Sequence, residues 1–496
     1  MSSTKAIIIG SGVAGMASAI RLAVEGFDVH VYEANDYPGG KLSSFEKDGF
    51  RFDAGPSLFT QPQNIEELFT LAGEPIEKYF DYKAVDVVCH YFFENGKQLK
   101  TYADKKLLAQ TFEKELGEDP KAVIDYLNAA EKLYDNIGTI FLNHSLHQSK
   151  TWLHKRVINA LKNVKWSYLF GTLHQHNKAK FKTAEAVQLF NRFATYNGSN
   201  PYKAPGMLSL IPHLEQNQGT FYPKGGMISI TNALYNLALK KGVQFHFNKK
   251  VSSIIHEQKK VKGIVVDNEN IAADIVVSNG DVYYTYKKLL NENVVAHKIS
   301  KLERSSSALI FYWGIQKEFS ELGLHNIFFS KDYKKEFDHL FEKKMLMDDP
   351  TVYINITSKM ENIHSPEGAE NWFVMINAPT NEGQDWNELV ITAKKNIISK
   401  LNRLLNTDLE KYIVSETIMD PVVIEQKTGT YKGSLYGTSS NSKFAAFFRP
   451  ANFSKDIKGL YFCGGTVHPG GGIPLCLKSA LITTDIIKTD YAARRK

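Results

Sequence analysis

The chain of 496 residues contains only three cysteines, Cys89, Cys463 and Cys476. Their spacing fits neither a metal site nor a disulfide framework, so we expect no metal and a reducing compartment. Both Cys463 and Cys476 are expected to be small packing residues. The sequence also lacks an apolar run of about 18 residues that could span a membrane. A signal peptide is not expected, because the first apolar segment starts directly after Lys5.

An excess of one charge is also missing. The chain has 60 Lys and Arg against 53 Asp and Glu, a formal net charge of +7 that is mild for this length. We find no nucleic-acid-binding module and expect no nucleic-acid partner. Hydrophobic residues make up 43% and aromatic residues 12%, which is typical of a globular protein. The length predicts two domains.

The most informative segment is at the start of the chain. Residues 6–9 form an apolar run that predicts a buried strand, and the glycine-rich turn GSGVAG follows at residues 10–15. Residues 16–25 then read as a helix, and residues 27–32 read as a second strand that ends at Glu33. A G-x-G-x-x-G turn in this context predicts a Rossmann-type dinucleotide site.

Each part of that pattern has a physical task. Gly10 allows the tight turn, Gly12 lets the backbone approach a pyrophosphate, and Gly15 lets the helix pack on the strand. The helix start offers free N–H groups to the phosphates. Glu33 is expected to accept a hydrogen bond from a ribose hydroxyl.

Two further segments favour a flavin over a nicotinamide. The sequence PGGK at residues 38–41 can bring backbone and a cation to a phosphate. Near the other end, residues 459–465 read as a strand that runs into a glycine turn, and TVHPGGGIP follows at residues 466–474. Pro474 suits the first turn of a helix, whose positive end can stabilise a reduced flavin. A nicotinamide enzyme needs no second site so far downstream, so we predict FAD.

The predicted flavin domain is discontinuous because its motifs are far apart in the chain. We assign residues 1–75, 215–290 and 441–496 to it. Residues 76–214 and 291–440 are expected to form a substrate domain with possible membrane-facing helices. Four strand-like runs, at 308–313, 326–329, 352–355 and 372–376, predict a mixed sheet under a cavity. The fold class is therefore α/β, with a Rossmann-like FAD-binding domain and a mixed-sheet plus helical substrate domain.

Residues 150–170 form a basic amphipathic segment with a tryptophan near each end, Trp152 and Trp166. Its cations lie away from the apolar stripe and are Lys155, Arg156, Lys162 and Lys165. Such a helix can lie in the headgroup region of a membrane. The alternative is a surface helix whose apolar stripe packs on the core.

Several longer motifs carry a resemblance to a known family. They are RFATYNGSNP at 192–201, YPKGGM at 222–227, DPTVY at 349–353 and SLYG at 434–437. With both ends of the chain, they resemble the bacterial carotenoid desaturases, which are phytoene-desaturase-like FAD oxidoreductases with an amine oxidase/GDI-like fold. Within that family, residues 465–476 are most similar to the hydroxycarotenoid 3,4-desaturases.

The resemblance implies an FAD-dependent desaturase of carotenoid biosynthesis. The enzyme would introduce a C=C bond by hydride transfer to flavin N5 and loss of a proton, with 3,4-desaturation of a 1-hydroxycarotenoid expected. It would lie in the cytoplasm, peripherally on the inner face of the cell membrane. The expected cofactor contacts are Gly10, Gly12, Val13, Ala14, Gly15, Glu33, Ala34, Gly40, Lys41, Gly55, Pro56, Ser57, Leu58, Val251, Asn279, Gly280, Gly464, Gly465, Gly472, Ile473 and Pro474.

The residues of the proton step are open, and Arg192 and His468 are the candidates. Arg192 could instead pair with a carboxylate or brace a loop, and His468 could instead hold the flavin turn by hydrogen bonds. Other functions also stay open: a phytoene-type desaturase, a carotenoid isomerase or saturase, a flavin amine oxidase, or a GDI-like lipid carrier without redox chemistry.

Overall fold

The computed structural model describes residues 4–153, 157, 166–442, 444 and 449–492. In chain order the strands are β1 (Lys5–Ile9), β2 (Asp28–Tyr32), β3 (Ser44–Lys47), β4 (Phe50–Asp53), β5 (Tyr82–Ala84), β6 (Val87–Phe92), β7 (Gln98–Tyr102), β8 (Phe221–Pro223), β9 (Gln244–His246), β10 (Val251–Glu257), β11 (Lys260–Val266), β12 (Glu269–Ala272), β13 (Ile275–Ser278), β14 (Ser307–Ile315), β15 (His325–Phe328), β16 (Val352–Ile356), β17 (Glu370–Ala378), β18 (Ile413–Met419) and β19 (Leu460–Phe462).

The described α-helices connect and cover these strands. They are α1 (Val13–Val24), α2 (Gln63–Ala72), α3 (Lys105–Leu116), α4 (Pro120–Leu133), α5 (Thr139–Asn143), α6 (Ser149–Trp152), α7 (Trp166–Phe170), α8 (Leu173–Lys178), α9 (Ala184–Asn191), α10 (Ile228–Lys240), α11 (Val282–Tyr284), α12 (Asn293–Ser300), α13 (Tyr333–Asp338), α14 (Trp386–Leu405), α15 (Pro421–Thr428) and α16 (Ile473–Ala492). Among these helices, none combines the length and the apolar character needed to cross a bilayer.

The first sheet is the predicted Rossmann sheet. Five parallel strands lie in the order β19-β13-β1-β2-β9. Helices α1, α10 and α16 pack on it and share one apolar core. Because helices and a second layer cover both faces, strands β1, β13 and β19 are nearly continuous apolar runs, as expected for buried parallel sheets. The predicted strands and helices at both ends of the chain are confirmed, and an antiparallel three-stranded sheet, β10-β11-β12, precedes β13.

The second sheet has seven strands in the order β18-β14-β17-β16-β15-β6-β7. The four strand-like runs of the sequence are its strands β14 to β17, so that prediction is confirmed. One face packs on α14 through large side chains such as Trp313, Phe328 and Trp372. The other face carries Ile310, Tyr353 and their neighbours and faces a cavity. Burial on both faces explains why every residue of β14 is buried.

The β3–β4 hairpin joins the two parts of the molecule. It belongs to the segment 1–75 that the sequence assigns to the flavin domain, yet Phe50 and Phe52 pack on the seven-stranded sheet. The ring of Phe52 lies 5.6 Å from that of Tyr312 on β14. A segment that follows the first two Rossmann strands closely in sequence therefore packs on the second sheet.

The basic segment is only partly described. Trp152 at the end of α6 donates from Nε1 to the carbonyl of Leu146 at 2.9 Å, and Val157 is buried. Lys155, Arg156, Lys162 and Lys165, which carry the prediction of a membrane-facing helix, lie outside the described residues.

A buried ion pair connects the two sheets. Asp281 follows β13, and Arg304 precedes β14. The Arg304 guanidinium donates to the Asp281 carboxylate at 2.6 Å, and the backbone N–H of Tyr431 donates to the same oxygen at 3.0 Å. Both side chains are almost fully buried. The pair therefore holds the end of the Rossmann sheet against the start of the second sheet.

Replacing Arg304 by alanine should leave the Asp281 charge buried without its cation. Breaking a buried pair in this way costs about 3–5 kcal/mol, so the free energy of unfolding measured by urea denaturation should fall by that amount. The matched control is Lys121→Ala, which breaks an exposed pair with Asp125 and should change stability little. Equal effects of the two substitutions would contradict this role of the buried pair.

Candidate active site

A cavity of about 930 Å³ lies between the glycine-rich loops and the seven-stranded sheet. The predicted cofactor residues that line it are Gly10, Gly12, Val13, Ala14, Glu33, Gly40, Lys41, Gly55, Pro56, Ser57, Leu58, Asn279, Gly280, Gly464, Gly465, Gly472, Ile473 and Pro474. Gly15, Ala34 and Val251 are not among the lining residues. One continuous cavity thus brings together motifs from both ends and the middle of the chain.

The start of α1 has free hydrogen-bond donors facing this cavity. Gly12 is the N-cap, no side chain caps the helix, and its first turn contains no acidic residue. Those N–H groups and the positive helix end suit an anion. A Cβ on Gly15 would lie 2.2 Å from the carbonyl oxygen of Gly10, so the helix and the first strand pack as closely as the motif requires. This arrangement fits the pyrophosphate of a dinucleotide.

Glu33 lies at the end of β2 and is held by four hydrogen bonds. One carboxylate oxygen accepts from the backbone N–H and the hydroxyl of Ser11, each at 2.8 Å. The other accepts from the backbone and side-chain nitrogens of Asn35 at 2.9 and 3.0 Å. A carboxylate has room for further donors. The structure therefore presents an oriented acceptor to the cavity, which fits a ribose hydroxyl.

Asn279 stands where three cofactor segments meet. A Cβ on Gly12 would lie 2.6 Å from its Oδ1, and its Nδ2 donates to the carbonyl of Cys463 at 3.2 Å. The side chain thus links the end of β13 with the first loop and with the turn after β19. Asn279 is therefore part of the site, although the strand it follows is far in sequence from the glycine turns at the two ends of the chain.

Lys41 brings a cation to the cavity wall. Its Nζ donates to the carbonyl of Leu435 at 2.9 Å. Burial, with a smaller effect of the Arg304 charge, lowers the pKa of the Lys41 ammonium to about 8, against opposing effects of Cys476 and Asp281. An anionic ligand beside it would stabilise the charged form.

The C-terminal turn presents an open backbone to the cavity. Gly472 has a φ of +100°, and a Cβ there would meet no atom within 4 Å. Helix α16 begins at the next residue, with Pro474 in its first turn as predicted. Burial raises the pKa of the Cys476 thiol to about 11 and that of Cys463 to about 12, so both stay protonated. These features fit a flat ring held against the helix start.

His468 does not line the cavity. Its Nε2–H donates to the backbone carbonyl of His144 at 3.0 Å, and its own carbonyl accepts from Asn452 and Ser479 at 2.8 and 3.0 Å. Burial lowers the pKa of its imidazole to about 4. His468 therefore holds the turn after β19 by hydrogen bonds, which is the second of its two interpretations from the sequence.

Arg192 lines the cavity but is engaged in an ion pair. It begins a 3₁₀ turn, Arg192–Asn197, and its Nη2 donates to Glu215 at 3.0 Å and to the hydroxyl of Tyr91 at 2.8 Å. Tyr196 also donates to Glu215. The predicted pairing of Arg192 with a carboxylate is therefore present. Glu215 was not identified from the sequence because it lies in an irregular π turn, His213–Asn217.

The sequence reasoning also missed His325 and Tyr353. The hydroxyl of Tyr353 lies 2.8 Å from Ser57 Oγ and 2.8 Å from His325 Nδ1. All three residues line the cavity. Tyr353 ends the motif DPTVY, which carried the family resemblance but no role for this residue. The alternation within β15 and β16 places both side chains on the cavity face but does not mark them as functional.

The fold and this cavity define an FAD-dependent oxidoreductase. Residues 13–487 match the family described as flavin containing amine oxidoreductase. The chain belongs to this family.

Relatives with curated names narrow the comparison. The chain is 50% identical over 488 residues to a 1-hydroxycarotenoid 3,4-desaturase of Flavobacterium sp. (strain P99-3), covering 98% of this chain and 100% of that one. It is 32% identical to a 4,4'-diaponeurosporene oxygenase of Staphylococcus haemolyticus (strain JCSC1435), covering 98% and 97%. The predicted membership among carotenoid-desaturase-like FAD enzymes is confirmed.

Solved structures show the same fold at low identity. Cyclohexylamine oxidase from Brevibacterium oxydans IH-35A has a TM-score of 0.61 at 13% identity, over 99% of this chain and 100% of that one. A putrescine oxidase bound to putrescine has a TM-score of 0.61 at 13% identity, over 99% of each chain. These likenesses concern the fold alone.

Replacing Gly472 by phenylalanine should abolish most FAD binding, because the new side chain enters the cavity and the positive φ strains it. The measurement is the flavin-to-protein ratio from the visible spectrum. Gly73→Phe is the control, since Gly73 also has a positive φ and open space but caps α2 outside the cavity. Full flavin content in Gly472→Phe would show that the ring does not use this space.

Replacing Glu33 by alanine should weaken FAD binding about 10- to 100-fold, the range expected for losing a charged acceptor. Titration of flavin-free protein with FAD, followed by flavin fluorescence, measures this change. Glu33→Gln keeps an acceptor, so its dissociation constant for FAD should lie between those of the wild-type protein and Glu33→Ala. An unchanged dissociation constant in Glu33→Ala would refute the assignment to ribose.

Proposed function

We propose that the protein desaturates a carotenoid, with the 3,4-bond of a 1-hydroxycarotenoid as its target. The observation that carries this proposal is an apolar row across the second sheet, continuous with the cofactor loops. The paired residues Ile327, Tyr353, Met375, Ile310 and Met419 form this row, one from each of five adjacent strands, and all five line the cavity. A row of this kind suits a flat, extended polyene.

The reaction class also fits the side chains that the cavity offers. When bound, FAD supplies the acceptor for the hydride that desaturation removes. The protein residues orient the polyene and exclude water. Two cavity carboxylates, Glu215 and Asp281, are already engaged in ion pairs with Arg192 and Arg304. The proposed contribution of the chain is thus positioning rather than a dedicated acid–base pair.

The 50% identity to a 1-hydroxycarotenoid 3,4-desaturase supports a 1-hydroxycarotenoid as the proposed substrate. Its identity extends over the whole of both chains, so the cavity-forming strands and turns are included. The 4,4'-diaponeurosporene oxygenase is less similar to this chain, and its reaction type makes oxygenation the alternative outcome to test. Product analysis separates these two outcomes.

Anaerobic incubation of the purified protein with a 1-hydroxycarotenoid in liposomes tests the proposal. The flavin absorbance should bleach, and the product should absorb at longer wavelength and be two hydrogens lighter. Flavin-free Gly472→Phe protein is the control. A product of unchanged mass would indicate isomerisation, and a product that gains oxygen when air is admitted would indicate oxygenation. A bound flavin that stays oxidised with this substrate would refute the proposal.

We further propose that the protein takes its substrate from a membrane surface, on the cytoplasmic side. Leu153 and Phe170, which lie near the two ends of the basic segment, have exposed fractions of 77% and 51%. Exposed apolar side chains beside a run of cations suit an interface between headgroups and acyl chains. A carotenoid is itself confined to lipid, so access from that surface would shorten its path to the cavity.

Changing Lys155, Arg156, Lys162 and Lys165 together to glutamine should weaken binding to anionic liposomes, because each cation near such a surface contributes about 1 kcal/mol. Co-sedimentation with phosphatidylglycerol vesicles measures the effect. The control changes four exposed lysines elsewhere, Lys180, Lys259, Lys260 and Lys395. Equal sedimentation of the two variants would favour the core-packing alternative.

A further inference from the structure

The two ends of the substrate side of the cavity differ in polarity. Near β18, the lining residues Glu46, Lys47 and Lys427 are exposed and form its mouth. Lys47 Nζ donates to the backbone of Glu416 on that edge strand. At the opposite side of the sheet the lining is buried and polar. We call this region the polar end, formed by Arg192, Tyr196, Glu215, His325, Tyr333 and Thr351.

The hydrogen bonds of His325 determine which ring nitrogen carries the proton. Burial, with a smaller effect of the Arg192 charge, lowers the pKa of the His325 imidazole to about 3, so the ring is neutral. The side-chain nitrogen of Asn355 donates to the carbonyl of Leu324 at 3.0 Å and lies 3.2 Å from His325 Nδ1. Because that nitrogen is a donor, Nδ1 is the acceptor. The proton is therefore on Nε2.

This Nε2–H donor has no hydrogen-bond acceptor among the described residues, although His325 is only 3% exposed. The hydroxyl of Tyr333, in the same polar end, is also buried without a partner among them. Leaving a buried polar group unpaired costs about 1–3 kcal/mol. A ligand that both accepts and donates one hydrogen bond would satisfy both groups.

We propose that the polar end binds the terminal hydroxyl group of the carotenoid and makes the protein selective for the hydroxylated chain. His325 Nε2–H donates a hydrogen bond to the hydroxyl oxygen, and Tyr333 Oη accepts a hydrogen bond from the hydroxyl group. This inference rests on the proposed function and adds the residues that read the substrate's end group. A hydrocarbon end would leave both protein groups unpaired, which is the basis of strong discrimination at polar sites.

The position of the polar end fits the bond that would be oxidised. In a 1-hydroxycarotenoid the hydroxyl-bearing carbon and the 3,4-bond are near neighbours, so a hydroxyl site has to lie close to the cofactor contacts. Ser57, one of the predicted contacts, is linked to His325 through Tyr353 by two hydrogen bonds of 2.8 Å. In this series of hydrogen bonds, the Tyr353 hydroxyl donates to Nδ1 of His325, and the Ser57 hydroxyl donates to the Tyr353 oxygen. The remaining polyene would follow the apolar row toward the mouth.

Ligand binding tests this inference without requiring turnover. The probes are a 1-hydroxylated acyclic carotenoid and the same polyene without the hydroxyl, both in detergent micelles, with binding followed by quenching of tryptophan fluorescence. Wild-type protein should bind the hydroxylated probe about 10- to 100-fold more tightly. His325→Phe should lose most of this preference while binding the unhydroxylated probe as before.

Two further variants separate selectivity from folding. Tyr333→Phe removes only a hydroxyl group and should lower the preference about tenfold. His90→Phe replaces another buried histidine, which lies on the adjacent strand and bonds the backbone of Glu321, and should keep the full preference. Flavin content and thermal unfolding confirm that each variant is folded.

Equal binding of the two probes by wild-type protein would overturn the inference, even if desaturation is observed. An undiminished preference in both His325→Phe and Tyr333→Phe would also overturn it. A loss of affinity for both probes alike in these variants would mean that the residues support the cavity rather than read the hydroxyl. A preference that depends on His325 in a protein without turnover would uphold the polar end and refute the proposed reaction.

Discussion

The parallel pairing of β1 with β13 and of β13 with β19 is the constraint on which the site depends. It places three chain positions that are hundreds of residues apart at the carboxyl edge of one sheet. Gly10, Asn279 and Gly464 follow these strands and line the same cavity. Ligands bind outside the carboxyl ends of strands in open α/β sheets because the loops there diverge. This alignment brings the glycine turns from the two ends of the chain to one cavity.

The second sheet lines the cavity with one face and packs on a helix with the other. Its large side chains on one face, including Trp313 and Trp372, are covered by α14. That leaves the opposite face free to line a cavity while the strands stay buried and paired. The paired cavity-facing residues of five adjacent strands form the apolar row, and His325 on β15 belongs to the polar end next to it. Shape and polarity along the cavity thus follow from strand register.

Local motifs in the sequence predicted the loops that line the cofactor part of the cavity, whereas no local motif predicted the polar end. Gly12, Glu33 and Pro474 stand in patterns whose spacing already specifies a turn, a strand end or a helix start. Glu215 and His325, which line the polar end together with Arg192, could not be identified in this way, because Glu215 lies in a π turn and His325 at the start of a short strand. Their meeting depends on tertiary packing, which no short-range pattern records. The basic segment illustrates the same limit, since its two interpretations differ only in what covers its apolar stripe.

The β3–β4 hairpin makes the two halves of the molecule share their stability. It directly follows the loop that contains Lys41, and its Phe50 and Phe52 pack against the second sheet. A ligand that fixes that loop therefore also favours the packing of the hairpin on the second sheet, because binding to the native state shifts the folding equilibrium. Chains made while flavin is scarce would be less stable throughout and more open to proteases. Cofactor supply would in this way set how much of the protein a cell retains.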